Sequence, residues 1–200
     1  MDKYNEIANE LFKIYKECDK EISEFDTICS AGCIHCCKQP IPVAGIEEFA
    51  IKELLSKSPY ALKNRIKKNM QSWFKEFNKL FYPLNRVGVE TLNTVMVNKK
   101  TSFPVCPFLV DNRCSIYEAR PLVCRAHIVK DNIKLCEMDP LRDPIDASKQ
   151  IKRFYADQIL QLQRNNMIRL LPYATRELIG AERIEIIQIE MDIRLFSTGI

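Results

Sequence analysis

Four thiols fall within nine residues in Cys29-Ser-Ala-Gly-Cys33-Ile-His-Cys36-Cys37. Nothing else in the chain narrows its folding options as much. Soft ligands this close in sequence meet on one metal at little loop-closure cost. A second stretch, Cys106-Pro-Phe-Leu-Val-Asp-Asn-Arg-Cys114-Ser-Ile-Tyr-Glu-Ala-Arg-Pro-Leu-Val-Cys124-Arg, adds three more thiols. The rest of the chain reads as scaffolding that must bring the two stretches together.

Whether crowded cysteines mean disulfides or metal depends on the compartment. The first ten residues are polar and amphipathic, and no stretch approaches the roughly 20 apolar residues of a membrane span. The chain is therefore expected to be cytoplasmic, where disulfides rarely persist, and its nine cysteines are an odd number for a closed disulfide set. With 46% hydrophobic and 28% charged residues, the 200-residue chain has the makings of one ordinary core. The net charge of +4 is spread thinly. Its densest basic cluster, Lys63, Arg65, Lys67 and Lys68, reads as a solvated helix face, so no nucleic-acid or membrane partner is expected.

Along the chain, Ile7, Leu11, Ile14, Tyr15, Cys18, Ile22 and Phe25 recur at helical steps over residues 2–25, which places Cys18 on an apolar stripe as a core residue. Pro40 and Pro42 exclude helix after the first cluster, and a helix resumes near Ala44. Ser58-Pro59 is an N-cap and first-turn signal for the next helix, which runs through Leu62, Ile66, Met70, Trp73, Phe77, Leu80 and Phe81 to Pro83. Residues 87–97 fit either a strand or a short helix. A further helix is predicted over residues 144–171, closed by Pro172. Ile187, Ile189, Met191, Ile193 and Leu195 alternate as a strand does, with 87–97 as its partner.

Thiolates hold zinc in sites of four and also hold iron–sulfur clusters. Cys33-x2-Cys36 has the usual ligand spacing. Adjacent side chains diverge in an extended segment, so Cys36 and Cys37 serve two metals, or one of them is a supporting or redox thiol. Asp111-Asn112 signals a hairpin that returns Cys114 toward Cys106. With Cys136 the candidates number eight: Cys29, Cys33, Cys36, Cys37, Cys106, Cys114, Cys124 and Cys136, enough for two four-sulfur sites. His35 and His127 read as hydrogen-bond donors to sulfur or exposed rings. Arg113, Arg120 and Arg125 either offset thiolate charge or pair with Glu118 and Asp111.

Together these stretches resemble the cysteine-cluster family named for its CxxCxxCC motif, also called YkgJ-like. The residues that carry the likeness are Cys29, Cys33, Cys36 and Cys37, then Cys106-Pro-Phe-Leu, Cys114-Ser-Ile-Tyr-Glu, Arg120-Pro121 and Cys124-Arg125. The first gap is three residues rather than the two of the family's name, which sets Cys29 apart. The resemblance implies chelated zinc or an iron–sulfur cluster. Some relatives are linked to lysine N-methylation of flagellin, but no glycine-rich cofactor loop supports that here. Cys29-x3-Cys33-x2-Cys36 also matches the radical SAM signature. That fold calls for a partial barrel of alternating strands and helices, for which five glycines and a mostly helical downstream pattern argue poorly.

The expectation is thus one mainly α domain over residues 1–200, with an irregular cysteine-rich metal-binding lobe (loops 29–37 and 106–136) and at most two or three short antiparallel strands. Its function is metal binding, by zinc or an iron–sulfur cluster, with electron transfer to a redox or protein partner as one outlet. An iron–sulfur enzyme using S-adenosylmethionine is the alternative.

Overall fold

The structure is a computed structural model and describes residues 2–29, 32–99, 103–130, 132–163, 167–181, 186–191 and 196. The chain is mainly α. Helix α1 spans Asp2–Ser23, α2 Gly45–Ser56, α3 Tyr60–Phe81, α4 Val89–Lys99, α5 Leu122–Arg125, α6 Ile133–Met138, α7 Asp146–Leu162 and α8 Leu171–Thr175. Six short strands pair two by two: β1 (Pro42–Ala44) with β5 (Ile168–Leu170), antiparallel; β2 (Arg86–Val87) with β6 (Gln188–Ile189), parallel; and β3 (Leu109–Val110) with β4 (Arg113–Cys114), antiparallel.

The helical stripes read from spacing are the buried ones. Leu11, Tyr15 and Cys18 of α1 are buried where it packs on α2 and α7. Along α3, Ile66, Met70, Trp73, Phe74, Phe77 and Phe81 form one inward face. Trp73 stacks on Phe77 with ring centroids 4.5 Å apart, and Tyr173 of α8 meets Trp73 and Phe74 edge-on. Such pairs add to the apolar burial that holds the helices together. The Tyr173 hydroxyl donates to the Ile187 carbonyl at 2.8 Å and ties the strand near the C-terminus to this aromatic cluster.

Three local readings change. Residues 89–99 are helical, because Leu92 and Met96 are buried four apart while Val97 is 67% exposed; only Val87 joins a strand. The partner of the alternating tail is therefore residues 86–87, and Ile193 and Leu195 of that pattern lie outside the described residues. The helix predicted over 144–171 stops at Leu162. Ile168 and Leu170 are buried on one side of β5 with Arg169 between them, and Pro172 opens α8 rather than closing α7, in a first turn where its missing N–H costs nothing. Finally, Pro59 itself stands at the N-cap of α3. The Ser58 hydroxyl instead donates to the Leu54 carbonyl at 3.0 Å and closes α2.

One buried carboxylate joins the elements that carry the cysteines. Glu47, in the first turn of α2, has no solvent exposure. Its Oε1 accepts from the Tyr15 hydroxyl of α1 at 2.8 Å and from the Leu122 N–H of α5 at 2.7 Å. Its Oε2 accepts the Ala44 N–H at 3.0 Å. These donors favour the ionised form, yet burial outweighs them and pushes the carboxyl up to about 7.

A carboxyl whose folded value lies above its ordinary 4.5 keeps its proton longer when folded. The stability it contributes is complete below about 4.5 and is lost as pH rises toward about 7. Urea unfolding across this range is expected to show Glu47→Gln removing a decline on the order of 3 kcal/mol relative to the native protein. Parallel pH profiles for the two proteins would refute the assignment.

Candidate metal centre

The first cysteine loop is stitched to the second half of the chain at several points. The Thr27 hydroxyl donates to the Val129 carbonyl at 3.0 Å and accepts the Cys29 N–H at 3.0 Å. Gly32 takes φ +93°, a conformation that a side chain would strain, and lets the backbone turn into a 3₁₀ turn at His35–Lys38. That turn presents Cys36 and Cys37. The Cys37 carbonyl accepts the Cys106 N–H at 2.7 Å, which fastens the two cysteine stretches backbone to backbone.

The second stretch folds as its turn residues predict. Asp111 and Asn112 adopt φ 52° and 57°, the left-handed pair of a two-residue hairpin, so Cys114 of β4 comes back opposite Leu109. Arg120-Pro121 breaks the chain, and α5 then offers Cys124 from a helix whose first N–H groups are held by Glu47 and by the Pro121 carbonyl.

These elements enclose a cavity of about 520 Å³ lined by Cys29, Cys33, Cys36, Cys37, Cys106, Cys114 and Cys124. Seven of the eight candidates thus face one space. Cys136, on α6, is buried beside the 3₁₀ turn and near Cys33, but off the cavity wall. Cys18 is fully buried in the core stripe, as its spacing indicates. All nine cysteines are free thiols. Among the described residues no group of three or more His, Cys, Asp and Glu side chains is drawn together tightly enough to hold a metal ion.

The thiols suppress one another's ionisation. Burial pushes Cys106 up to about 12, with Cys114 and Cys36 adding to it. Burial likewise holds Cys124 well above the usual thiol range, with Cys36, Cys106 and Cys114 as further causes. Cys36 is raised first by its hydrogen bond with Cys37 and then by burial. Cys33 is raised by burial and by Cys36, Cys29 and Cys136 around it. Cys36 therefore neighbours two groups of thiols. Crowded sulfurs of this kind release their protons when a cation takes over the charge balance, so the donor set suits zinc or iron.

Of the two roles expected for the arginines, the side-chain pairs with Glu118 and Asp111 do not form among the described residues. Arg125 is only 5% exposed; its guanidinium lies 4.1 Å over the Tyr15 ring, pairs with Asp19, and donates to the carbonyls of Arg120 (2.9 Å) and Glu118. Arg120 reaches Asp19 at 3.3 Å and lies 4.2 Å over Tyr117. Asp111 pairs with Arg65 across the surface, and Arg113 is exposed on β4. Burial raises the Cys114 thiol above its ordinary value, and Arg120 and Arg125, which both line the cavity, offset part of that rise. Asp19 orders both guanidiniums, and nothing in its sequence surroundings marked it. His127 lines the cavity, kept neutral by burial that drives it down to about 4, and its carbonyl lies 3.9 Å from the Cys29 sulfur. His35 is not on the wall.

A helical frame around a thiol-lined cavity defines a chelating domain. The chain belongs to the CxxCxxCC family, described as "Putative zinc- or iron-chelating domain", which matches residues 28–139. No curated protein and no solved structure matches it.

Arg125→Met removes a buried guanidinium and leaves the Arg120 and Glu118 carbonyls without their donor, while Asp19 keeps Arg120, so urea denaturation is expected to show a loss of roughly 2–4 kcal/mol. Arg65→Met, at an exposed pair, should leave the midpoint almost unmoved.

Proposed function

We propose that the protein chelates zinc or an iron–sulfur cluster in this cavity, with Cys29, Cys33, Cys36, Cys37, Cys106, Cys114 and Cys124 supplying ligands. One observation carries the reading: seven thiols from two separate loops line one cavity. Cys136, near Cys33 but off the cavity wall, is the eighth candidate. Bound metal supplies the charge that releases the thiol protons. The chain's own part is to converge the loops and keep Arg120 and Arg125 beside the sulfurs.

The finer function proposed is structural chelation or electron transfer to a redox or protein partner. The radical enzyme reading is not carried forward. The strands that follow the motif are two or three residues long among the described residues, and no barrel forms from them. A single domain over residues 1–200 is part of the proposal, supported by one hydrophobic cluster that runs from Leu11 to Phe196. A reducing, cytoplasmic setting is proposed on the nine free thiols. No helix among the described residues is long and apolar enough to cross a membrane.

Metal and acid-labile sulfide analysis, with a visible spectrum, on protein purified without oxygen tests this. Brown protein with sulfide supports the cluster and electron transfer; colourless protein with zinc supports structural chelation. Protein free of both metals would sink the proposal. Cys36→Ser and Cys124→Ser should each lower metal content and stability, while Cys18→Ser leaves metal content unchanged.

A further inference from the structure

A second, smaller cavity of about 50 Å³ lies behind His127, between the end of α5, the loop at residues 141–144 and α7. Its wall includes Lys149 and Lys152 of α7, and Met96 closes its apolar side. Lys152 is only 6% exposed. Among the described residues its ammonium makes no hydrogen bond or ion pair, and the nearest charges include Arg153 and Lys149 along with Asp143. Asp143 is itself largely exposed and lies 3.8 Å from Lys149, which also reaches Asp146 at 3.6 Å. Arg142, which has a partner of its own, completes the wall. An ammonium on a side chain this buried, with no ion pair of its own among the described residues, is costly, because it gives up most of its hydration and recovers only the more distant charge of Asp143, which also lines the cavity. The space beside it is several times the roughly 10–15 Å³ that one water requires.

We propose that this cavity binds a small oxyanion of sulfate or phosphate size, with Lys152 as its principal charge partner and Lys149 as the second. The site is separate from the cysteines: none of them lines it. Charge-assisted hydrogen bonds from buried ammonium groups are the strong kind, and a tetrahedral oxyanion has enough acceptors to serve both lysines.

Equilibrium dialysis with radiolabelled sulfate, on the purified protein at constant ionic strength and with its metal content measured before and after, tests the site directly. The expected result is saturable binding of one sulfate per chain, displaced by inorganic phosphate and not by equal chloride. Lys152→Met should weaken it about tenfold or more, Lys149→Met severalfold, and Lys152→Arg should retain it. Because Lys149 is partly exposed, its variant reports on the site even if Lys152→Met fails to fold. Displacement by glycerol phosphate as well would assign the site to a phosphate ester, and displacement by inorganic ions alone to a free anion. Non-saturable uptake, or a response matched by chloride, would mean that the cavity holds water only and would overturn the proposal.

Discussion

A carboxylate without water is the constraint on which the arrangement depends. Glu47 can be buried only because three donors from separate parts of the chain, Tyr15, Ala44 and Leu122, converge on it. Satisfying it fixes α1, the start of α2 and the start of α5 relative to one another. That in turn fixes Cys124 and Arg125, and Arg125 stacks on the same Tyr15 that donates to Glu47. Polar groups at the centre of an apolar core specify a geometry in a way that apolar contacts alone do not, since each donor must be met at a set distance and angle.

Around this anchor the cysteine loops have few regular elements to hold them. Isolated side-chain and backbone bonds do the work: Thr27 to Val129, Cys37 to Cys106, and Gln39 to the Pro140 carbonyl at 2.5 Å. Burial first, and neighbouring thiols after it, raise Cys33, Cys106 and Cys124, a condition that a bound cation would relieve. Chelation here would therefore be coupled to folding of this lobe. His127 lines both the thiol cavity and the lysine-lined one, so the two cavities share a wall.

Much of this was legible in the residues. The stripes of α1 and α3, the core position of Cys18 and the hairpin at Asp111-Asn112 all follow from period and turn chemistry, which are local properties. The errors also have a common cause. Pro172 reads as a stop when a helix is assumed before it and as a start when a strand is; only the pairing of Ile168–Leu170 with Pro42–Ala44 decides between them. Val87–Val97 offers two periods of similar quality, and burial of Leu92 and Met96 against the core selects the helix. Asp111 sits beside Arg113 in sequence yet pairs with Arg65, because the left-handed turn carries its side chain toward α3.

The number and crowding of the cysteines, and hence the class of chemistry, belong to the sequence alone: ligand type and spacing are covalent facts. Which thiols face one space, that Cys136 stands just off it, that Asp19 and Glu47 order the site's charged groups, and that Lys152 is buried without an ion pair of its own among the described residues were decided only by tertiary structure. Burial and through-space charge arise between segments far apart in the chain, and no local pattern of residues encodes those distances.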